Sequence, residues 1–251
     1  MPLIRDAAIV LGRLDYSETS QILVLFTREH GKVRAIAKGA KRSTKTRFAP
    51  GVDLLDIGTV VFSVRHERAE GLATLTEWKQ TQSLSGLRER LDRINAAQYA
   101  AEITARLTED WDPHSDLFDE LIDTMKSLSE SKEVLEQVVR YQLALLDKIG
   151  SLPRFDACVV CDRDTELTHF SSFEGGLICR NCEVGRVEKW EIAPSTIELL
   201  NRPEVDAAPK RSNEKGPQSA FSVLNYHIAH LMGMEPRLAE SLVPTQRRRR
   251  I

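Results

Sequence analysis

The sequence predicts an α+β protein in which a small N-terminal β-barrel precedes a helical domain that is interrupted by a four-cysteine unit. Three observations lead to this prediction. Apolar runs of strand length fill the first eighty residues, helical spacing of apolar residues begins after them, and all four cysteines of the 251-residue chain fall between positions 158 and 182. The predicted segments are 1–80 (barrel), 81–150 (helical domain, first part), 151–190 (cysteine unit) and 191–251 (helical domain, second part, with a basic C-terminal tail).

Five short runs in the first segment have the length and composition of strands. They are 7–11, 21–26, 32–38, 59–64 and 72–76, and turn residues such as Gly31, Gly58 and Gly71 precede three of them. Five strands in about eighty residues, with no long helical pattern among them, indicate a small closed barrel, and the OB-fold is the common architecture of that size.

The period changes after residue 80. Leu117, Leu121, Met125 and Leu128 recur every three or four residues behind Asp112 and Pro113, which predicts a helix with an Asp N-cap and Pro as its first residue. A second helix is predicted from 131 to 149 with Gly150 as its stop, and others near 87–101, 197–200 and 221–231, the last ending at Gly233. The stretch 201–217 is rich in Pro, Lys, Glu, Asn and Ser and predicts a mobile loop.

The cysteines form two close pairs, Cys158-x-x-Cys161 and Cys179-x-x-Cys182, with seventeen residues between the pairs. Each short spacing lets two thiolates of one tight turn reach a single ion, and the longer insert lets a hairpin bring the second pair back to complete a tetrahedron. Four thiolates close the coordination shell, so the pattern predicts one structural zinc per chain. The alternative, two redox-active dithiols, leaves the second pair unexplained, since a thioredoxin-like site needs only one.

The charge is unevenly distributed along the chain. Residues 1–80 carry 13 Lys and Arg against 9 Asp and Glu, whereas residues 81–150 carry 8 against 14. This asymmetry indicates a basic binding surface on the barrel and an acidic, solvated or partner-facing surface on the helices, although chance would also produce it.

The barrel's positive charge is concentrated between positions 30 and 52, which hold no acid. The candidate nucleic-acid-binding residues are Lys32, Arg34, Lys38, Lys41, Arg42, Lys45 and Arg47. Since side chains alternate across a strand, Lys32, Arg34 and Lys38 share one face, which predicts phosphate contacts with little sequence preference. Phe48 is the nearest aromatic for base stacking, and the tail 247–250 offers further cations. The alternative is that these are ordinary solvated charges.

Signatures of other function classes are absent from the sequence. It has no phosphate-binding Gly-rich loop, no dinucleotide fingerprint and no nucleophile elbow. The acid pairs Asp53/Asp56 and Asp112/Asp116 are interpreted as solvated, and His227 and His230 as helix-surface residues. Without these motifs, no catalytic chemistry is expected. No signal peptide or membrane-spanning run is recognised, so a cytoplasmic protein without membrane contact is expected. Two alternatives stay open: a zinc-ribbon enzyme such as a nuclease, and a scaffold whose basic patch meets an acidic protein.

Several motifs resemble those of the RecO family of bacterial DNA repair and recombination mediators. The matching stretches are Ile9-Val10-Leu11-Gly12-Arg13, Tyr16-Ser17-Glu18-Thr19-Ser20, Leu25 to Val33, Ala37-Lys38-Gly39-Ala40-Lys41-Arg42, Leu152-Pro153 and Phe173-Glu174-Gly175-Gly176. Many zinc-bearing members have Gly after the second cysteine, whereas this chain has Asp162, a residue that tolerates left-handed conformations.

The resemblance implies an N-terminal OB-fold, a helical domain split by a zinc finger, and binding to single- and double-stranded DNA. It also implies annealing of complementary strands and a role with RecR in replacing single-stranded DNA-binding protein by RecA, with a docking site for the acidic C-terminal tail of the single-stranded DNA-binding protein. A nucleoid-associated location in a bacterial cytoplasm follows from the same resemblance.

Overall fold

The computed structural model describes residues 3–39, 48, 52–64, 71–201 and 215–243. Contacts within the chain divide it into two compact units, Met1–Lys132 and Glu133–Ile251. The helical region is thereby divided, because the helices before residue 132 group with the barrel while the later helices group with the cysteine unit. This grouping differs from the four predicted segments. No helix in the described ranges combines the length and the apolar character needed to cross a membrane.

The first unit contains a closed five-stranded barrel. Its strands are β1 (Leu3–Asp15), β2 (Gln21–Thr27), β3 (Gly31–Ala37), β4 (Ile57–Ser63) and β5 (Ala73–Gln82), in the order β1-β2-β3-β5-β4. All neighbouring pairs are antiparallel except β3 and β5. The five predicted strands and the OB-like barrel are confirmed, and β1 extends farther at both ends than its apolar run suggested.

Strict alternation on β3 fills the barrel interior. Val33, Ala35 and Ala37 are fully buried, while Lys32, Arg34 and Ile36 lie on the outer side. The small inward residues leave space for large aromatic side chains, and Phe62 and Trp78 lie in this core, as expected. Phe48 lies in the same core and is only 6% exposed, so the prediction that it could stack on bases is wrong.

Two helices and a short 3-10 helix pack around the barrel. The 3-10 helix is Ser85–Arg88, followed by α1 (Leu91–Leu107) and α2 (Ser115–Glu130). Four alanines on the buried face of α1 allow close approach to its neighbours: Ala96, Ala97, Ala100 and Ala101. On the outer side of β2, Phe26 contacts Phe118 of α2, with ring centroids 6.1 Å apart. Unit 1 is therefore a barrel whose outer side is partly covered by helices.

The connection between α1 and α2 is fastened to β3. Asp110 forms an isolated parallel bridge with Lys32, and the backbone N–H of Trp111 donates to the carbonyl oxygen of Lys32 over 2.9 Å. A side chain at Gly31 would place its Cβ 2.0 Å from the carbonyl oxygen of Asp112, so only glycine permits this approach. The helix α2 begins at Ser115, with His114 before it, instead of at the predicted Asp112–Pro113 boundary.

The second unit combines helices with a three-stranded sheet. Its elements are α3 (Val134–Lys148), β6 (Leu167–Ser171), β7 (Gly176–Cys179), β8 (Trp190–Glu191), α4 (Pro194–Leu200), α5 (Lys215–Met232) and α6 (Ala239–Leu242). Both α3 and α4 pack against α5, and the sheet order is β7-β6-β8. Gly150 and Gly233 have φ of +69°, which confirms them as helix stops.

The predicted loop at 201–217 is only partly described. Residues 202–214 lie outside the described ranges, and residues 215–217 form the first turn of α5, so the loop prediction is wrong for these three. Pro217 is compatible with that position because N–H groups in the first helical turn have no partner within the helix.

Candidate metal centre and nucleic-acid interface

The first cysteine pair lies on a tight turn after α3. The backbone N–H of Asp162 donates to the carbonyl oxygen of Cys158 over 2.9 Å, and the N–H of Cys158 donates to Arg163 over 2.8 Å. Asp162 has φ of +63°, the left-handed conformation that glycine would adopt most easily. Its carboxylate lies 2.6 Å from a guanidinium nitrogen of Arg154, so this exposed ion pair accompanies the strained conformation.

The β6–β7 hairpin brings the second pair to the first. Cys179 ends β7, and the backbone N–H of Cys182 donates back to it over 3.0 Å. The N–H of Val159 donates to Leu177 over 2.9 Å, which ties the first turn to β7. At Gly176 a Cβ would lie 2.5 Å from the carbonyl oxygen of Arg154, so a glycine is needed where the segments meet.

The four sulfur atoms fit a single tetrahedral ion. All lie within 4.8 Å of one another, and Cys161 and Cys179 are 3.7 Å apart. Zinc–sulfur bonds of about 2.3 Å in a tetrahedron separate the sulfurs by about 3.8 Å, which matches this cluster. Two of the four residues, Cys158 and Cys179, are buried. The structure therefore brings together all four predicted metal-binding residues with a donor set that suits zinc.

Burial and hydrogen bonds within the cluster shift the pKa values of two of these thiols. Burial raises the pKa of Cys158, but backbone N–H groups of Cys179, Val160 and Cys161 outweigh it and lower the pKa to about 6. Hydrogen bonds to the sulfurs of Cys161 and Cys179 raise the pKa of Cys182 to about 12. In the absence of a cation, the cluster thus stabilises one thiolate readily and disfavours the ionisation of another.

A carboxylate connects the cysteine unit to α5. Glu188 accepts hydrogen bonds from Ser171 Oγ at 2.5 Å, from the backbone N–H groups of Ser172 and Phe173, and from the hydroxyl of Tyr226. Burial raises the pKa of Glu188, yet these donors outweigh it and the pKa is lowered. The charged carboxylate is therefore the form that holds β6 to α5.

His227 of α5 is buried, which corrects its prediction as a helix-surface residue; His230 is exposed. The Nε2 atom of His227 lies 3.0 Å from the carbonyl oxygen of Ser151, and its Nδ1 atom lies 2.7 Å from Ser172 Oγ. Since a carbonyl oxygen only accepts, Nε2 carries the proton and Nδ1 accepts from the serine. Burial lowers the pKa of His227. A single histidine in an apolar helix pattern gave no sequence signal for this role.

The candidate nucleic-acid-binding residues of β3 differ in their surroundings. The side chain of Lys32 is 13% exposed, and its ammonium group donates to the carbonyl oxygens of Ala105 at 2.7 Å and Thr108 at 2.5 Å. It also lies 3.4 Å from a carboxylate oxygen of Asp110. Lys32 thus caps the C-terminal end of α1, where a helix favours positive charge.

Arg34 and Lys38 are open to solvent. The side chain of Arg34 is 62% exposed, and its Nε and Nη2 atoms lie 2.8 and 2.5 Å from Asp110 Oδ2. Lys38 follows β3 and is exposed. The other four predicted residues, Lys41, Arg42, Lys45 and Arg47, and the tail 247–250 lie outside the described residues. Binding of nucleic acid by all seven stays a prediction.

The acid pairs suggested for an alternative nuclease have other partners. Asp53 forms ion pairs with Arg13 at 2.8 Å and Arg88 at 3.2 Å, and an oxygen of Asp56 accepts the backbone N–H of Asp53. Asp112 lies 3.0 Å from His114 Nε2. In the described part of the chain, the four cysteines form the one group of three or more His, Cys, Asp or Glu residues close enough to hold an ion.

Sequence reasoning also missed exposed apolar residues on the outer side of the barrel. Leu14, near the end of β1, is 65% exposed, and Tyr16, which follows β1, is 64% exposed. A β-bulge between Val10 and Gly12 shifts the alternation of β1, so the outward positions after it are not those that the first apolar run predicts.

Comparison with known proteins assigns both parts of the chain to one family. The family description "Recombination protein O N terminal" matches residues 1–84, and "Recombination protein O C terminal" matches residues 88–238. A protein of Rhodopirellula baltica named "DNA repair protein RecO" is 31% identical, with 94% of this chain and 93% of the relative covered. Proteins of the same name from Bacillus pumilus and Bacillus subtilis are each 32% identical over 79% of this chain, covering 75% and 76% of their own lengths.

These names designate DNA repair proteins. The two family matches follow one another in order along the chain, and the basic OB-like barrel and the four-cysteine unit fall where the sequence resemblance placed them. The chain therefore belongs to the RecO family.

Proposed function

We propose that the protein is a recombination mediator that binds single- and double-stranded DNA, anneals complementary strands, and acts with RecR to replace single-stranded DNA-binding protein by RecA during recombinational DNA repair. The observation that carries the proposal is an OB-like barrel with the basic strand β3 in a chain that belongs to the RecO family. RecA would be an indirect partner, and the acidic tail of the single-stranded DNA-binding protein a direct one.

Electrostatics on the barrel supports sequence-independent binding. Arg34 on β3 and Lys38 just after it are exposed, and the acid-free run continues through Lys41, Arg42, Lys45 and Arg47. Such cations contact phosphate oxygens, which every DNA sequence presents alike. Lys32 has a weaker case for direct contact, because carbonyl oxygens of unit 1 already accept its ammonium hydrogens.

One structural zinc per chain would be held by Cys158, Cys161, Cys179 and Cys182. When bound, the metal would supply four bonds that hold the turn at 158–162 to the β6–β7 hairpin. The chain's own residues support that arrangement through backbone hydrogen bonds such as Val159 to Leu177.

Annealing needs no chemical step from the protein. A cationic surface that holds two backbones screens their repulsion and raises the local concentration of complementary strands, while base pairing drives the reaction. The reaction should therefore proceed without ATP.

The test is annealing of complementary single strands, naked or coated with single-stranded DNA-binding protein, with and without ATP. Annealing independent of ATP, with intact DNA in the presence of Mg²⁺, is expected. ATP dependence would refute the mediator function, and cleavage would favour the nuclease. Salt-dependent DNA binding separates the proposal from a scaffold that binds only acidic proteins.

A charge-reversal variant identifies the surface. Changing Lys38, Lys41 and Arg42 to Glu should weaken binding to all DNA sequences and flatten the salt dependence, at about 0.9 counterions per lost duplex contact. The matched control reverses Lys126 of α2, Lys132 of the α2–α3 connection and Lys148 of α3, which changes the net charge equally. Equal losses in both variants would show that overall charge, and not this surface, determines binding.

A further inference from the structure

The segment that follows the last cysteine has no apolar anchor of its own. We call this segment, residues 183–188, the strap. Its two large apolar side chains, Val184 and Val187, are 82% and 101% exposed, so neither holds the strap by burial. Burial of apolar surface is the dominant favourable contribution to holding a segment in a fold. The position of the strap therefore depends on its polar contacts and on the attachment of its two ends.

The first end of the strap is bonded to the end of β7. The backbone N–H groups of Cys182 and Glu183 donate to the carbonyl oxygen of Cys179 over 3.0 and 3.2 Å. Within the strap, the N–H of Arg186 donates to Glu183 over 3.1 Å, and the Arg186 side chain forms an ion pair with Glu174. Cys182 is only partly buried, in contrast to Cys179. Its sulfur therefore depends more on the strap for its position than the sulfur of Cys179 does.

The other end of the strap is Glu188, which has four hydrogen-bond donors. Ser171 Oγ and the backbone N–H groups of Ser172 and Phe173 come from the β6–β7 hairpin, and the hydroxyl of Tyr226 comes from α5. Burial and the hydrogen bond to Glu188 raise the pKa of Tyr226, so its hydroxyl keeps its proton and donates. Hydrogen bonds to a charged acceptor are about twice as strong as neutral ones. One carboxylate thus fastens the strap to the hairpin and to α5.

The same turn of α5 makes further contacts with the cysteine unit. The Nδ1 atom of His227 lies 2.7 Å from Ser172 Oγ, and the His227 ring contacts Phe170 of β6 with ring centroids 6.1 Å apart. The ring of Tyr226 contacts Trp190 edge to face, with centroids 5.2 Å apart. All these residues belong to unit 2. Two adjacent residues of α5 therefore contact the chain on both sides of the second cysteine pair.

The cysteine cluster and Glu188 fix opposite ends of the same segments. The strand β7 runs from Gly176 to Cys179, a length of about 10 Å. A cation at the four sulfurs would hold Cys179 and Cys182, while Glu188 holds the hairpin turn and the far end of the strap. Closing a segment at both ends costs conformational entropy, and an end that is already held lowers the cost of holding the other.

We propose that Glu188 is a positioning residue for the metal centre and that, together with Tyr226, it couples zinc binding at the four cysteines to the packing of the β6–β7 hairpin against α5. The inference rests on the zinc of the proposed function. Coupling between two sites is reciprocal, so weakening the contacts of Glu188 weakens zinc binding, and removing zinc loosens α5. Residues that orient metal ligands through other groups change metal affinity by roughly five- to 100-fold.

The first test measures zinc affinity of the full-length, reduced protein by competition with a chromogenic chelator. Glu188→Gln keeps the size of the side chain but removes its charge, and it should bind zinc at least five-fold more weakly. Tyr226→Phe removes one donor and should weaken binding at least two-fold. Glu191→Gln, at an exposed position on β8, makes the same charge change three residues farther along and should bind zinc as the wild type does.

The second test follows hydrogen–deuterium exchange of the α5 amides at 221–230. Removal of zinc from the wild type by a chelator under reducing conditions should speed this exchange at least five-fold, and added zinc should reverse the change. In Tyr226→Phe the effect of zinc on α5 should be smaller. If Glu188 and Tyr226 only stabilised α5, the substitution would speed exchange equally with and without zinc, which would contradict the coupling.

Failures of the two proposals give different results. A wild-type protein that binds no zinc contradicts the zinc of the proposed function. A wild type that binds zinc while Glu188→Gln keeps full affinity contradicts the coupling. Equal weakening in Glu188→Gln and Glu191→Gln also contradicts it, because the lost negative charge would then be the cause. If Glu188→Gln lacks the circular dichroism of the folded protein, Tyr226→Phe decides, and full zinc affinity in that variant contradicts the coupling.

Discussion

Replacing Lys32 by Met tests whether this residue serves the fold or the DNA. Methionine keeps an unbranched side chain of similar length, so packing along the stem is largely retained while the ammonium group is lost. The carbonyl oxygens of Ala105 and Thr108 then lose a charged donor at 2.7 and 2.5 Å, and Asp110 loses one of its two cations.

The loss of stability follows from these contacts. A hydrogen bond from a charged donor contributes about 1.5–3 kcal/mol, so the two bonds together contribute about 3–6 kcal/mol. Removing a largely buried ammonium also removes its desolvation penalty, and water can reach part of the site, so we expect a net loss of about 2–4 kcal/mol in the free energy of unfolding of unit 1.

Urea unfolding followed by tryptophan fluorescence measures this loss. The chain has three tryptophans, and a Trp190→Phe background leaves Trp78 and Trp111, both in unit 1. The backbone N–H of Trp111 donates a hydrogen bond to Lys32, so the fluorescence of Trp111 reports on the affected segment. Lys38→Met, at an exposed position just after the same strand, should change stability by less than about 0.5 kcal/mol. Unchanged stability of Lys32→Met together with weakened DNA binding would refute the capping role and return Lys32 to the DNA interface.

Three further predictions address other parts of the molecule. Metal analysis should find one zinc per chain. The variant Cys158→Ser should lose the metal, and its circular dichroism signal should decrease because the cysteine unit loses its structure. A zinc-free protein with an unchanged fold would contradict this. Asp110→Asn should raise DNA affinity about two- to five-fold by releasing Arg34, measured by anisotropy against Glu109→Gln, which removes an adjacent charge and should have a smaller effect. Because burial lowers the pKa of His227, the unfolded state binds more protons below about pH 6.5, so stability should be full above that pH and fall as the pH drops through the folded-state pKa. Thermal unfolding between pH 7.5 and 5 should show a smaller decline in His227→Gln, and equal declines would contradict the assignment.

The sequence was sufficient where a local pattern determines the structure. Alternation on β3 placed Val33, Ala35 and Ala37 inside, and the heptad-like spacing of Leu117 to Leu128 identified α2. Two short cysteine spacings predicted the cluster of four sulfurs that the structure confirms. In each case the information lies in neighbouring residues, so no tertiary contact has to be known.

Features that depend on distant parts of the chain were not predictable in this way. Lys32 looked like its neighbours in the basic run, and only the arrival of α1 at its ammonium group distinguishes it. Phe48 was similarly assigned to the surface by its basic neighbours although it fills the barrel core. His227 is buried because Ser151 and Ser172 meet α5 from two other segments. Tertiary contacts decide such cases, and single-sequence patterns do not contain them.

The attachment of the α1–α2 connection to β3 limits where the chain can be cut. A fragment ending at residue 84, where the N-terminal family match ends, would lose the carbonyl oxygens that accept from the Lys32 ammonium group, the Trp111 hydrogen bond and the cover that Phe118 provides for Phe26. The apolar surface that is then exposed at Phe26 and the loss of the Asp110 bridge to Lys32 of β3 favour aggregation of such a fragment. Expression of the barrel as a separate domain for crystallisation or NMR should therefore extend through Lys132, where the first compact unit ends.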